Sequence, residues 1–254
     1  MSFTQQKVDK EIEEALIREE IDIAVHSIKD MPVKLPPGLC IAAVTQREDP
    51  HDALISKDNI KLADLPKGAR VGTGSLRRQT QLMSYRPDIE IVPMRGNIDT
   101  RINKLETENL DAIILAAAGL RRMGWEEKIT ELIDFNILLP AIGQGAIGIE
   151  ARHHGLDILE LLVDLDHDPT HIAVEAERAF LKVLEGGCQV PIGGYATLDG
   201  EKILIRGLVG SLDGKVVYKS EVKGLAQDAK LLGKQLGLEL LQMGADKILK
   251  SVTQ

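Results

Sequence analysis

Residues 70–122 hold eight arginines, at positions 70, 77, 78, 86, 95, 101, 121 and 122, and a single lysine, Lys104. Six acidic residues share that window, which therefore carries +3 in a chain whose formal charge is −8. Arginine presents a planar fork of donors that matches a carboxylate or phosphate, whereas lysine is a hydrated point charge. An arginine-rich, lysine-poor stretch in an acidic protein suggests recognition of a small polyanion; the plainer reading is a solvated face with a few ion pairs. Gly72-Thr73-Gly74-Ser75 precedes a helical pattern, where hydroxyl and backbone donors at a helix N-terminus suit an anion. The same four residues also read as an ordinary strand-to-helix turn with Ser75 as N-cap. Cys188 follows Gly186-Gly187 and precedes Pro191, a tight loop in which a cysteine is more often chemical than structural. Cys40, inside the apolar run 39–44, is of the ordinary buried kind. His26 stands where a strand meets a loop with no second His or Cys at metal-ligand spacing, so it reads as structural and no metal site is expected.

These groups need a scaffold, and the hydrophobic pattern supplies one. Helical spacing over 7–20 is followed by a short strand at 21–25, a proline-forced extended stretch through Pro32, Pro36 and Pro37, and a strand at 39–44. From residue 63 onward strands and helices alternate: strands at 69–71, 89–93 and 112–116, helices at 76–85 and 98–106. That order predicts a mostly parallel sheet with helices on both faces, and ligands at the carboxyl ends of its strands. Arg77 and Arg78, Arg95, and Arg121 and Arg122 fall at or just past those ends, which favours an anion-binding cleft over a charged surface. Beyond residue 165 the character changes to a helix at 173–184, a hairpin turning at 211–214, and a long amphipathic helix over 227–252 broken near Gly244.

Composition narrows the classes further. The chain has 254 residues, 44% hydrophobic and 28% charged, with only 3% aromatic. An acidic, aromatic-poor protein is badly suited to phosphate contacts and base stacking, so nucleic acid is not an expected partner. No run of 18 apolar residues suggests a membrane span, and residues 1–6 show no secretion signal, so the cytoplasm is expected. Two cysteines cannot build a disulfide framework.

Seven motifs, in order, resemble the porphobilinogen deaminase (hydroxymethylbilane synthase) family. They are Val25-His26-Ser27-Ile28-Lys29-Asp30-Met31-Pro32; Arg47-Glu48-Asp49-Pro50; Gly72-Thr73-Gly74-Ser75-Leu76-Arg77-Arg78-Gln79; and Arg95-Gly96-Asn97 with Thr100-Arg101. Further on come Ala118-Gly119-Leu120-Arg121-Arg122, Leu139-Pro140-Ala141-Ile142-Gly143-Gln144-Gly145-Ala146, and Glu185-Gly186-Gly187-Cys188-Gln189-Val190-Pro191-Ile192-Gly193. The resemblance implies an α/β fold: two periplasmic-binding-protein-like lobes, the first incomplete, plus a small C-terminal α+β domain. Lobe 1 would comprise 1–45 and 146–163, lobe 2 would comprise 51–139, and the cofactor-attachment domain 168–254, with hinge strands near 46–50 and 140–145.

The resemblance also implies a chemistry. Cys188 would hold a dipyrromethane cofactor through a thioether and so prime the stepwise head-to-tail condensation of four porphobilinogen molecules into hydroxymethylbilane, with loss of ammonia. Lys29, Thr73, Ser75, Arg77, Arg78 and Gly145 would bind the cofactor, and Arg95, Arg101 and Arg122 the substrate carboxylates. Asp30, at the carboxyl end of its strand, would stabilise the cationic pyrroles and relay protons; taken alone it reads as a solvated turn residue before a proline. A monomer without nucleic-acid or membrane partners is expected. The family's usual first strand and its Arg- and Ser-bearing loop have no counterpart before the helix at 7–20, which predicts an incomplete lobe 1 and impaired activity. The alternative is a non-catalytic binder of a small polycarboxylate using the same two-lobe cleft. A regulator's effector domain shares the lobes but lacks such a third domain.

Overall fold

The computed structural model describes residues 3–184 and 190–252, with backbone alone for 3–9. The chain opens with α1 (Phe3–Ile17), β1 (Ile23–Ser27) and β2 (Leu39–Val44). It crosses to β3 (Asp52–Ser56), β4 (Arg70–Thr73), α2 (Leu76–Tyr85), β5 (Glu90–Pro93), α3 (Ile98–Thr107), β6 (Ala112–Ala116), α4 (Ala117–Arg122) and β7 (Glu131–Ile133), then returns as β8 (Ile147–Arg152). α5 (Leu156–Leu162) and α6 (Asp168–Val183) lead to β9 (Ile192–Asp199), β10 (Lys202–Gly210), β11 (Val217–Leu225), α7 (Ala229–Met243) and α8 (Ala245–Val252).

Three sheets result. The first has the order β1-β8-β2 and is antiparallel throughout, so a strand contributed a hundred residues downstream lies at its centre. Its edge strand β1 leaves Val25 63% exposed. The second has the order β5-β4-β6-β3-β7. It is mixed rather than mostly parallel: β4 runs parallel to β5 and β6, while β3 pairs antiparallel with β6 and β7. The reason lies in the connections. The helices α2 and α3 provide the crossovers that parallel neighbours require, whereas no α-helix lies between β3 and β4. The third sheet, β9-β10-β11, is an antiparallel meander packed on α6 and α7 around Phe180, Ile205 and Leu236.

Local chemistry explains the ends of several elements. The Ser75 side chain caps α2 and that of Asn97 caps α3, each accepting from a backbone N–H three residues on. The long C-terminal helix divides as its sequence suggests. Gly244 takes φ +110°, a left-handed conformation that ends α7 and lets α8 depart in a new direction.

The two stretches joining the first and second sheets run against each other. The Glu48 amide donates to the Gly145 carbonyl at 3.2 Å, and Arg47 Nε donates to the Gln144 carbonyl at 2.9 Å. Gly145 sits at φ +89°, and a Cβ there would strike the Glu48 carbonyl oxygen, so this close crossing needs glycine. Glu177, fully buried on α6, ties the third unit to the crossing. It accepts from both Arg47 Nη atoms at 2.7 and 2.8 Å, from the Gly143 amide at 2.6 Å, and from the Ala196 amide of β9 at 2.9 Å.

Candidate active site

The arginine pair of α2 is buried rather than open. Arg77 and Arg78 are 4% and 5% exposed, and both converge on Asp52, the first residue of β3. Arg77 donates to Asp52 from Nη1 at 2.7 Å and from Nη2 at 3.2 Å; Arg78 does so from Nε at 2.9 Å and from Nη2 at 2.7 Å. Gln144 Nε2 adds a fifth donor at 3.0 Å and also reaches the Pro50 carbonyl, so the carboxylate ties the crossing to α2. Arg77 Nη1 also donates to the Leu139 carbonyl, and Arg78 Nη1 to that of Ile114. Burial alone would raise the Asp52 carboxyl, but the charges of Arg77 and Arg78 overcome it and hold the group well below the usual carboxylate range. The family resemblance assigns the two arginines to the cofactor and says nothing of Asp52. Its signal was a lone acid opening the otherwise apolar strand Asp52-Ala53-Leu54-Ile55.

One carboxylate cannot neutralise what gathers around it. Lys29, in the 3-10 turn Ile28–Asp30 that follows β1, is held below its ordinary range first by burial. Asp30 and Asp52 oppose that shift, while Arg78 and Arg77 add to it. Arg101 on α3 is lowered by burial and then by Arg78. Burial also lowers Arg77; Asp52 counteracts the shift and Arg78 reinforces it. Lys29, next to the first sheet, therefore sits within the fields of Arg77 and Arg78 from the second, and Arg101 within that of Arg78. Asp30, exposed beside Lys29, is the carboxylate presented outward from this cationic group.

The other expected residues take varied positions. Thr73, the last residue of β4, is buried and its hydroxyl accepts from the Ser75 amide at 3.3 Å. Arg95 is exposed just beyond β5, and half-buried Arg101 donates from Nε to the Gly96 carbonyl at 2.7 Å. Arg122, exposed at the end of α4, donates to the Gly145 carbonyl at 3.0 Å, so it meets the crossing directly. Cys188 lies outside the described residues. Cys40 is half-buried on β2 and burial raises its thiol pKa. His26 pairs with buried Glu150, Nε2 to Oε2 at 3.0 Å. Among the described residues no group of three or more His, Cys, Asp or Glu could hold a metal ion.

The comparisons with known proteins bear directly on this arrangement. Residues 5–160 match the family model described as porphobilinogen deaminase, dipyromethane cofactor binding domain, and residues 171–242 match porphobilinogen deaminase, C-terminal domain. The chain belongs to the porphobilinogen deaminase family. Its relatives include the porphobilinogen deaminases of Alkaliphilus metalliredigens, 51% identical over 243 residues, and of Pelotomaculum thermopropionicum, 52% identical over 245 residues. Each alignment covers 96% of this chain and 77% and 78%, respectively, of the relative. Among solved structures, the periplasmic aliphatic sulphonate binding protein SsuA of Escherichia coli aligns over 70% of this chain and 58% of its own, at 15% identity and a TM-score of 0.40.

Membership in the family raises the question of fit to its cofactor. The residues present suit a carboxylate-rich group. Among the described residues the cations gathered here outnumber the acids, and the buried Arg77 Nε has no hydrogen-bond partner, an orphaned donor beside the pair. Both features suit an anion.

Proposed function

We propose that this chain is a hydroxymethylbilane synthase, a transferase of tetrapyrrole biosynthesis that condenses four porphobilinogen molecules head to tail with loss of ammonia. The observation that carries the reading is the gathering of Lys29, Arg77 and Arg78 around the buried carboxylate of Asp52, with Arg101 in the field of Arg78 and Asp30 beside Lys29. Porphobilinogen bears an acetate and a propionate, so a growing chain accumulates negative charge that only a surplus of fixed cations can hold. Lys29, Arg77 and Arg78, with Thr73, Ser75 and the Gly145 backbone, would hold the dipyrromethane; Arg95, Arg101 and Arg122 would receive the carboxylates of incoming substrate. When bound through Cys188, that cofactor supplies the nucleophilic pyrrole to which the first substrate is joined.

Asp30 carries the proton chemistry in this reading. As ammonia departs, positive charge develops on the substrate pyrrole, and a carboxylate near its N–H stabilises that charge and takes up and returns protons. Asp30 suits the task because it is exposed beside Lys29, at the edge of the cationic group. No helix among the described residues is long and apolar enough to cross a membrane. A cytoplasmic monomer, with no nucleic-acid or membrane partner, completes the proposal.

The deciding experiment is the intact mass of the denatured chain beside that of Cys188→Ala. The parent should be heavier than its sequence by two linked pyrrole units, and the variant should not. Equal unmodified masses, persisting after incubation with porphobilinogen, would overturn the reading.

A further inference from the structure

Three polar side chains outside the cationic site surround the segment that carries Asp30. Glu150, on β8, is 1% exposed and pairs with His26 at the end of β1, leaving its Oε1 without a hydrogen-bond partner. Arg178, half-buried on α6, donates from Nη2 to the carbonyls of Pro32 at 2.7 Å and Val33 at 3.2 Å. Burial lowers the Arg178 pKa, and the nearby charge of Glu150 counteracts part of that shift. One turn earlier on the same helix, Val174 packs with Ile28 and Met31, the residues on either side of Lys29 and Asp30.

The segment has little to hold it locally. Its 3-10 turn is three residues long and closes with the Met31 amide donating to the Ile28 carbonyl at 3.2 Å. Pro32 then removes a backbone donor, and no regular element resumes until Leu39. Short turns of this kind keep one geometry only when tertiary contacts impose it. We infer that Arg178 is a positioning residue for Asp30. From α6 it grips the two carbonyls just past Asp30, while Glu150 lies against His26 four residues before it, so the turn is flanked on both sides by side chains outside the cationic site. α6 also leads directly into 185–189, the stretch containing Cys188. One helix therefore connects the proton-handling turn to the attachment segment. The inference rests on the reading of Asp30 given above.

Hydrogen exchange on the purified chain tests it without requiring turnover. In Arg178→Met, the amides of Ile28 to Met31 and of Val33 should exchange about tenfold faster than in the parent, with the core of the third sheet unchanged, and Arg178→Lys should restore most of the protection. In steady-state assays Arg178→Met should lower kcat about tenfold or more while KM for porphobilinogen stays within about twofold, because a misplaced group costs rate rather than binding. Unchanged exchange in 28–33, or a raised KM with kcat intact, would overturn the inference. Should Arg178→Met not fold, Arg178→Lys and Glu150→Gln replace it, each expected to show the same local loss in smaller measure. Full turnover by Asp30→Asn would defeat the reading of Asp30 alone, and the exchange result would still decide whether Arg178 holds the turn.

Discussion

Arg77 and Arg78 direct their hydrogen bonds inside the protein, to Asp52 and to the carbonyls of Leu139 and Ile114. Arg95, Arg101 and Arg122 lie farther out, and the last two each make one bond to a backbone carbonyl, of Gly96 and Gly145. The inner pair is thus locked before any ligand arrives and contributes a fixed field in a place that water screens poorly. In the proposed reading the outer three would order themselves on each incoming carboxylate, at a cost in side-chain entropy and with more screening by salt. A site that extends a chain needs both kinds, one that stays constant and one that can re-form around successive units.

The contrast is broken most directly at Asp52. Asp52→Asn leaves two buried guanidinium groups facing a neutral amide and should destabilise the fold by about 3–5 kcal/mol, read as a lowered urea midpoint at unchanged slope. An unchanged midpoint would mean the inner pair is not held in this way. Arg101→Leu should do the opposite: the midpoint moves little, while KM for porphobilinogen rises roughly tenfold or more, as for loss of a charged hydrogen bond of about 1.5–3 kcal/mol. Equal loss of stability in the two variants would erase the distinction.

Acid titration sharpens the same comparison. Because the native Asp52 carboxyl is depressed, its stabilisation is complete above the unfolded-state value and fades as pH falls toward the native one. The stability gap between parent and Asp52→Asn should therefore be flat from about pH 8 to 5 and narrow below about pH 4, by about 1.4 kcal/mol per pH unit. Arg101→Leu should show no such narrowing in chemical denaturation across that range. The smallest effect is expected at Ser75, whose side chain accepts from the Arg78 amide at 3.5 Å. Ser75→Ala should cost about 0.5–1 kcal/mol by loss of the α2 cap, with calorimetry as the readout.

Much of this scaffold was legible locally. The spacing that predicts a helix over 76–85 and strands at 39–44 and 112–116 matches α2, β2 and β6 residue for residue, and the break at Gly244 divides α7 from α8. Other elements shifted: the helix expected over 7–20 runs from Phe3 to Ile17, and the strand expected over 21–25 is β1 at Ile23–Ser27. β3, β7, β8 and β9 had no clear periodic signal. β8 reads Ile-Gly-Ile-Glu-Ala-Arg, a glycine and two charges in a strand that turns out to be central. Its Gly148 lies where a Cβ would strike Ile28, and its buried Glu150 faces His26, which arrives from β1.

The sequence by itself determined which residue types were available and where the chain turns, since helix and strand periods, caps and glycine turns act over a few residues. It also carried the family's motifs, and with them the expected chemistry. Only the tertiary structure decided which charges meet: that Asp52 takes the arginine pair, that Glu177 clasps Arg47 across 130 positions, and that Arg178 reaches the carbonyls beyond Asp30. A buried charge is stable only against a partner brought to it by packing, and the identity of that partner depends on long-range topology that no local pattern encodes.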